Sequence, residues 1–435
     1  MGGDGSGPRA SGESTRARAF IREETYAATR RPVALAETLI PEAYTSESFY
    51  TLEQERVFAA GWVAVGCAAQ LREPGDALVV NLAGRSIIVV RNRRGELRAY
   101  YNTCRHRGTR LLDEGECRLG RFIRCPYHSW AYELLEGACI GTPLFAGSEI
   151  PDDQRGLFDT GDAVAFDKAD YGLLRVAVES WGPLVFVNLD GKAGPLGDHL
   201  GDLPARSAGY RLDEWEIART ARYEVAANYK LVAENFMEYY HLPWVHPGLV
   251  QVSPLDAHHR WQGTGMYTGM CTSPIAEDSE QGGWQSGLPP ITGLSESDSV
   301  SARFVWLFPN VALNLLPNHL FLIHAVPAGP SRTLETTYLL THPESTAKAR
   351  SDGAIDKLAA FWDEVNREDI EIVERVQEGL STTPFPGGRL CYRFEEPLHR
   401  FQNMIIDRMV GIRRVPPGDK VESAPIHVRR AEYNS

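Results

Sequence analysis

Residues 104–128 read CRHRGTRLLDEGECRLGRFIRCPYH, a stretch that begins with Cys104-x-His106 and ends with Cys125-x-x-His128, with 18 residues between the two pairs. A structural zinc accepts such a donor set in tetrahedral geometry. Zinc knuckles usually group two Cys on one arm and two His on the other, whereas each arm here carries one of each. A Rieske-type two-iron, two-sulfur cluster uses that mixture, with two thiolates on one iron and two imidazoles on the other. The arrangement favours the cluster over zinc, and the aromatic residues of CPYHSW are expected to shield it from water. Cys67, Cys117, Cys139, Cys271 and Cys391 follow no such pattern and are read as ordinary core or surface residues.

Upstream, residues 77–102 (ALVVNLAGRSIIVVRNRRGELRAYYN) alternate β-branched runs with AGRS and NRRGE turns, the pattern of short antiparallel strands. Residues 1–20 are rich in Gly, Ser and charge and are expected to form a disordered tail. Downstream, RVAVESWGPLVFVNLD reads as a strand pair, and EIARTARYEVAANYKLVAENFMEYYH passes from strand to helix. Residues 261–294, dense in Gly, Ser, Thr and Pro, read as long loops, and FVWLFPNVALNLLP and HLFLIHAVPAG as buried strands.

The second group of candidate ligands lies in NYKLVAENFMEYYHLPWVHPG, residues 228–248. Glu238 and His241 are expected one turn apart on a helix, with Pro243 ending that helix so that His246 can return toward His241. A helix over 354–380 supplies a third candidate. Its apolar stripe (Leu358, Trp362, Val365, Ile372, Val376, Leu380) has one step on Asp369, while Glu368 and Glu371 fall off it. A carboxylate on a buried face calls for a counter-charge or a metal. Two His and one carboxylate make the facial triad of a mononuclear non-haem Fe(II) site, although a zinc hydrolase uses a similar set.

Composition narrows the function classes. The 435 residues are 43% hydrophobic and 23% charged, enough for two or three packed domains. A net charge of -12 disfavours nucleic-acid and anionic-membrane partners. No apolar run approaches the roughly 18 to 20 residues of a membrane span, and the N-terminus lacks a secretory pattern. Seven cysteines do not suggest a disulfide framework, so a cytoplasmic location is expected.

With both groups of residues in view, the chain from about residue 40 to 400 resembles the oxygenase component (α subunit) of the Rieske non-haem iron oxygenases. The resemblance rests on the two Cys/His arms, ENFMEYYHLPWVH and the helix FWDEVNREDIEIVERVQEGL. It implies an α+β protein: a β-sandwich-like Rieske [2Fe-2S] domain beside a larger catalytic domain whose antiparallel sheet is flanked by helices. We place an N-terminal segment packing on the catalytic domain at 21–48, the Rieske domain at 49–165 and the catalytic domain at 166–435. By similarity, Cys104, His106, Cys125 and His128 hold the cluster, and His241, His246 and Asp369 hold the iron.

The same resemblance implies a homotrimer, or a multiple of trimers, in which Glu238 bridges an iron-ligand His to a cluster His of the neighbouring subunit. Most ring-hydroxylating members carry Asp there, while those oxidising glycine betaine, choline or carnitine carry Glu and share the Glu-Asp helix ending in VQ-x-GL. The substrate implied is a quaternary ammonium compound, undergoing methyl hydroxylation or oxidative N-demethylation with O2. Aromatic ring dioxygenation and natural-product tailoring are alternatives, and an electron carrier without oxygenase activity is a distant one. GTGMYTG at 263–269 lacks the GxGxxG spacing of a nucleotide loop, so electrons from NAD(P)H are expected through a flavin or ferredoxin reductase partner. Trp244, Trp261, Tyr267, Trp284, Trp306 and Phe308 could offer aromatic faces to a trimethylammonium group.

Overall fold

The computed structural model describes residues 17–143, 166–273, 275, 287–348, 353–382 and 384–415. Residues 1–16 of the expected tail and Trp284 lie outside these. Arg18 and Ala19 instead lead to Phe20, which is buried and packs edge-on against Phe49. One aromatic anchor therefore ends the tail earlier than its polar composition suggested.

The chain divides into two compact units, residues 59–193 and residues 1–58 with 194–435. In the smaller unit, short runs rich in β-branched and aromatic residues form β1 (Val63–Cys67), β2 (Asp76–Leu82), β3 (Arg85–Arg91) and β4 (Leu97–Tyr101), and β5 (Gly115–Arg118) follows. Short strands β6 (Phe122–Arg124), β7 (Ala131–Glu133) and β8 (Cys139–Gly141) form a separate three-stranded sheet. Then β9 (Arg175–Trp181) and β10 (Leu184–Asn188) return to the main sheet, whose order is β1-β10-β9-β4-β3-β2-β5. Ala77, Val79, Ile88 and Val90, at strand period two, share one core with Cys104, Cys125, Trp130 and Tyr132. The two thiols are thus built into the β core.

The domain boundary expected at 165/166 is corrected by these pairings. β10 pairs with β1 and β9 with β4, so the RVAVESWGPLVFVNLD hairpin closes the smaller unit, while residues 49–58 belong to the larger one. Strand pairing across about a hundred residues leaves no local trace in the sequence.

The larger unit is a seven-stranded antiparallel sheet flanked by helices. Its strands are β11 (Glu216–Val225), β12 (His258–Arg260), β13 (Tyr267–Thr272), β14 (Ala302–Leu307), β15 (Val311–Leu315), β16 (His319–Pro327) and β17 (Thr333–Thr341), in the order β11-β17-β16-β15-β14-β13-β12. The stretch 261–294 is therefore not all loop, since β13 lies inside it and every residue of that strand is buried. Its Gly and Thr residues fit because backbones approach closely there. A Cβ on Gly269 would sit 2.7 Å from the Phe304 carbonyl oxygen, and one on Gly201 would sit 1.7 Å from that of Thr264.

Five helices carry residues of the site or of its supports: α1 (Glu47–Glu53), α2 (Tyr229–Phe236), α3 (Leu242–Val245), α4 (Ala354–Thr382) and α5 (Glu396–Val410). The expected stripe of α4 holds for Leu358 and Trp362, then drifts. Asn366, Val373 and Gln377 are buried, while Val376 is exposed. The polar members are buried because each has a partner: Asn366 donates to Glu335 at 2.7 Å, and Gln377 accepts from the Asn228 backbone at 2.9 Å.

Beneath α2 lies a buried polar layer that holds the helix in place. Lys230 pairs with Glu53 at 3.0 Å, both wholly buried, and Tyr44 and Gln402 donate to Glu234 at 2.8 and 3.0 Å. Burial pushes the Glu234 carboxyl from 4.5 up to about 7. A carboxyl that binds its proton more tightly in the folded state stabilises fully below its unfolded pKa, and that contribution is lost as pH rises through the folded value. Melting temperature should therefore fall between about pH 5 and 8, and Glu234→Gln should remove a component on the order of 3 kcal/mol. An unchanged pH slope in the variant would assign the effect elsewhere.

Candidate metal centres

The two Cys/His arms fold as matching turns. In each, the Cys N–H donates to the carbonyl five residues on, at 2.8 Å for Thr109 and 2.7 Å for Trp130. In each, the N–H four residues on returns to the Cys carbonyl, from Gly108 at 3.0 Å and from Ser129 at 3.1 Å. Both of those residues are left-handed, with φ of 73° and 58°, so the first arm uses Gly and the second strains a Ser. These turns leave Cys104 and Cys125 buried while His106 and His128 stand nearer the surface, their rings 4.7 Å apart.

Cys104 Sγ meets Tyr132 Oη at 3.1 Å, and backbone N–H groups of Tyr127 and His128 point at Cys125 Sγ. Burial would raise the Cys125 thiol, but those N–H groups favour its thiolate and bring it below the usual range. Trp130 stacks on His106 of the other arm at 4.8 Å, so the aromatic shell of CPYHSW reaches across both arms. Thiols on the buried side and imidazoles on the outer side fit a two-iron cluster. A lone zinc would need all four donors to converge, and among the described residues the group of three or more donors within 4.8 Å of one another is a different one: His241, His246 and Asp369.

Local structure around that triad departs from expectation. α2 ends at Phe236, so Glu238 and His241 do not share a helix. The Glu238 carboxylate instead accepts the backbone N–H groups of Tyr240 and His241. Pro243 starts a one-turn helix, α3, rather than ending one, because its missing N–H costs nothing in a first turn. His241 and His246 cap the two ends of α3, which sets their rings 5.1 Å apart.

Asp369 enters from α4. Its Oδ1 lies 2.8 Å from His246 Nε2 and 3.5 Å from His241 Nε2, and Asn235 donates to it at 2.5 Å. The opposite ring nitrogens are held by carboxylates, His241 Nδ1 by Glu238 and His246 Nδ1 by Glu368, the latter at 2.6 Å. Glu368 and Asn235 were not read as site residues. Burial works against charge on both His, but Glu238 and Asp369 outweigh it and raise them. Burial likewise opposes the Asp369 charge, yet the His246 hydrogen bond and the nearby imidazoles keep it low. With each Nδ1 engaged, both Nε2 atoms and one carboxylate face a common point, a donor set suited to Fe(II) with open positions.

A cavity adjoins the triad. Its floor is the sheet, where Met270, Phe304, Asn314 and Phe321 stand in one cross-strand row on β13 to β16. Phe236 and Trp362 complete an aromatic wall, with Trp362 stacked on Phe321 at 4.6 Å. None of the described aromatic residues expected to face a cation lines it. Trp244 is 80% exposed, Trp306 and Phe308 are core, and Trp261 and Tyr267 are engaged by Arg206.

Comparison with known families decides the assignment. Residues 61–151 match the Rieske [2Fe-2S] domain, and residues 212–411 match the ring hydroxylating alpha subunit (catalytic domain), together more than half of the chain. The chain belongs to the Rieske oxygenases. The oxygenase is 27% identical over 398 residues to the glycine betaine monooxygenase oxygenase subunit of Chromohalobacter salexigens, covering 85% of each chain. It is 29% identical over 383 residues to the carnitine monooxygenase oxygenase subunit of Escherichia coli K12, covering 85% of this chain and 91% of that one.

A solved quaternary ammonium Rieske monooxygenase, described for carnitine oxidation and inter-subunit electron transfer, shares the fold with a TM-score of 0.71 at 24% identity, covering 88% of this chain and 97% of that one. The two domains imply a Rieske cluster and a mononuclear iron in an oxygenase subunit of a multicomponent system. Among the described residues no helix is long and apolar enough to cross a membrane.

Proposed function

We propose that this oxygenase hydroxylates a methyl group on the nitrogen of a quaternary ammonium compound. The observation that carries the reading is the cavity beside the triad. It has aromatic walls and no Lys or Arg among its described lining residues. Such a lining favours a cation through the negative faces of its rings. The substrates named for the two curated relatives, glycine betaine and carnitine, are of this class.

When bound, the cluster and the iron supply electrons and activate dioxygen. One oxygen atom enters a C–H bond of the methyl group, and the other leaves as water with two electrons and two protons. The resulting N-hydroxymethyl cation splits into tertiary amine, formaldehyde and a proton. This chain's residues do the positioning: Cys104, His106, Cys125 and His128 hold the cluster, His241, His246 and Asp369 hold the iron, and Glu238 and Glu368 fix the imidazole orientations. The phenyl and indole side chains keep water from the reacting methyl group. Electrons reach the oxygenase from NAD(P)H through a separate reductase, and it works in the cytoplasm as a trimer, or a multiple of trimers, with each cluster serving the iron of the next subunit.

Oxygen uptake with a surrogate reductase tests the reading. Quaternary ammonium compounds should stimulate uptake and release formaldehyde in equal amount. Uptake driven only by aromatic acids, with diol products, would favour ring dioxygenation instead.

A further inference from the structure

We infer that Glu335 is an internal proton donor, which hands one of the two protons consumed in reducing oxygen to the metal site through a second, smaller cavity behind Asp369. This rests on the oxygenase reaction and holds whichever cation is the substrate. Asn235, Phe236, Ile323, Asn366 and Asp369 line both cavities, so the two adjoin along Asp369, and Glu335 lines the smaller one from β17. The smaller cavity has room for about one water, with the Glu335 and Asp369 carboxyls and the Asn235 and Asn366 amides as polar neighbours.

Glu335 differs from the other buried carboxyls of this unit. Glu53 has Lys230, and Glu234 has two donors, Tyr44 and Gln402. Glu335 is 2% exposed, and among the described residues its hydrogen bond is the one from Asn366 at 2.7 Å, with no cation beside it. Ionising a carboxyl in such a place is costly, so the neutral acid is favoured. Burial pushes it from 4.5 up to about 7, the Asn366 hydrogen bond opposing and the Asp369 charge assisting.

The groups that face Glu335 are Asn366 and Asp369 from α4, Val232 and Asn235 from α2, Ala325 from β16 and Tyr223 from β11. Tyr223 is committed to Asp363 and lies under Arg367. Asp369 is thus the ionised group on the side of the triad, and Glu335 is the acid behind it. In the reaction, the oxygen atom that leaves as water takes two electrons and two protons. Glu335 breaks its O–H bond, passes that proton along the smaller cavity and becomes a carboxylate. It takes a proton back from solvent before the next turnover.

The test has two arms, both on the purified full-length oxygenase with its metal centres. Infrared difference spectra, wild type minus Glu335→Gln, separate the Glu335 acid from that of Glu234. The acid band should be present at about pH 6 and fade as pH rises through about 7. In D2O it should shift well before the most protected backbone amides exchange. Gln still accepts from Asn366 but has no acid proton, so melting temperature, iron and sulfide should match wild type. In single turnovers of the prereduced enzyme with glycine betaine, choline or L-carnitine, Glu335→Gln should form product about 100-fold more slowly. The wild-type decline in rate above about pH 7 should vanish in that variant, and Glu335→Asp should restore part of the rate.

No acid band at about pH 6, or a band that exchanges only with the core amides, overturns the donor, because the proton is then absent or sealed in. Loss of iron in Glu335→Gln also overturns it, in favour of a support for the triad. Wild-type rates in Glu335→Gln overturn it while leaving methyl hydroxylation standing. Failure of the wild type to turn over any of the three cations overturns the substrate reading, and the infrared arm then decides Glu335 by itself.

Discussion

Asp369→Ala should abolish turnover while the visible spectrum of the cluster survives. Asp369 is the one candidate ligand of the triad that comes from α4, and its Oδ1 is the atom on which both His Nε2 groups converge. Without it, two imidazoles remain to hold a cation that prefers mixed nitrogen and oxygen donors. Loss of a residue that only orients a ligand typically costs 10–100-fold, so loss of the ligand itself should exceed about 100-fold in activity.

Glu368→Gln supplies the graded comparison within that experiment. Its carboxylate touches His246 Nδ1 and not the convergence point, so iron content should drop less than in Asp369→Ala. Iron and acid-labile sulfide assays separate the two centres. One mononuclear iron lost per chain with sulfide retained is the expected outcome. Loss of sulfide as well would mean that Asp369 supports the whole fold rather than the iron.

Much of this site is legible in the amino-acid sequence, for identifiable reasons. The Cys/His arms are local, since ligand and turn lie within six residues of each other and the motif carries its own geometry. Asp369 is legible because a carboxylate on an otherwise apolar helical stripe violates the pattern that buries it. The partners of buried polar groups are not legible. Glu368 reads as a surface residue, yet it reaches His246 more than a hundred residues away in sequence. Asn314 sits on a strand whose every residue is buried, and nothing in VALNL says which face opens onto a cavity. The β9–β10 hairpin and β13 are hard to place from sequence for a related reason: strand partners are chosen by long-range register, and small residues in a buried strand look like a loop.

Glu238→Gln should leave both metal centres loaded and still slow turnover by about 10–100-fold. The carboxylate is fully occupied on its own subunit: Oε1 meets His241 Nδ1, while Oε2 accepts from the backbone N–H groups of Tyr240 and His241. All three neighbours donate, and a carboxylate can accept from all of them. Glutamine cannot, because its NH2 would face a donor wherever the amide is turned. His241 would lose the group that fixes its tautomer and raises its basicity, and the α3 turn would loosen. If Glu238 also bridges to a cluster His of the neighbouring subunit, a second defect results that Glu368→Gln lacks. The prereduced cluster should reoxidise slowly when substrate and oxygen are mixed in a single turnover. Comparable iron content in the two variants, with slow cluster reoxidation only in Glu238→Gln, would assign the coupling to Glu238. Equal reoxidation rates would reduce Glu238 to a holder of His241.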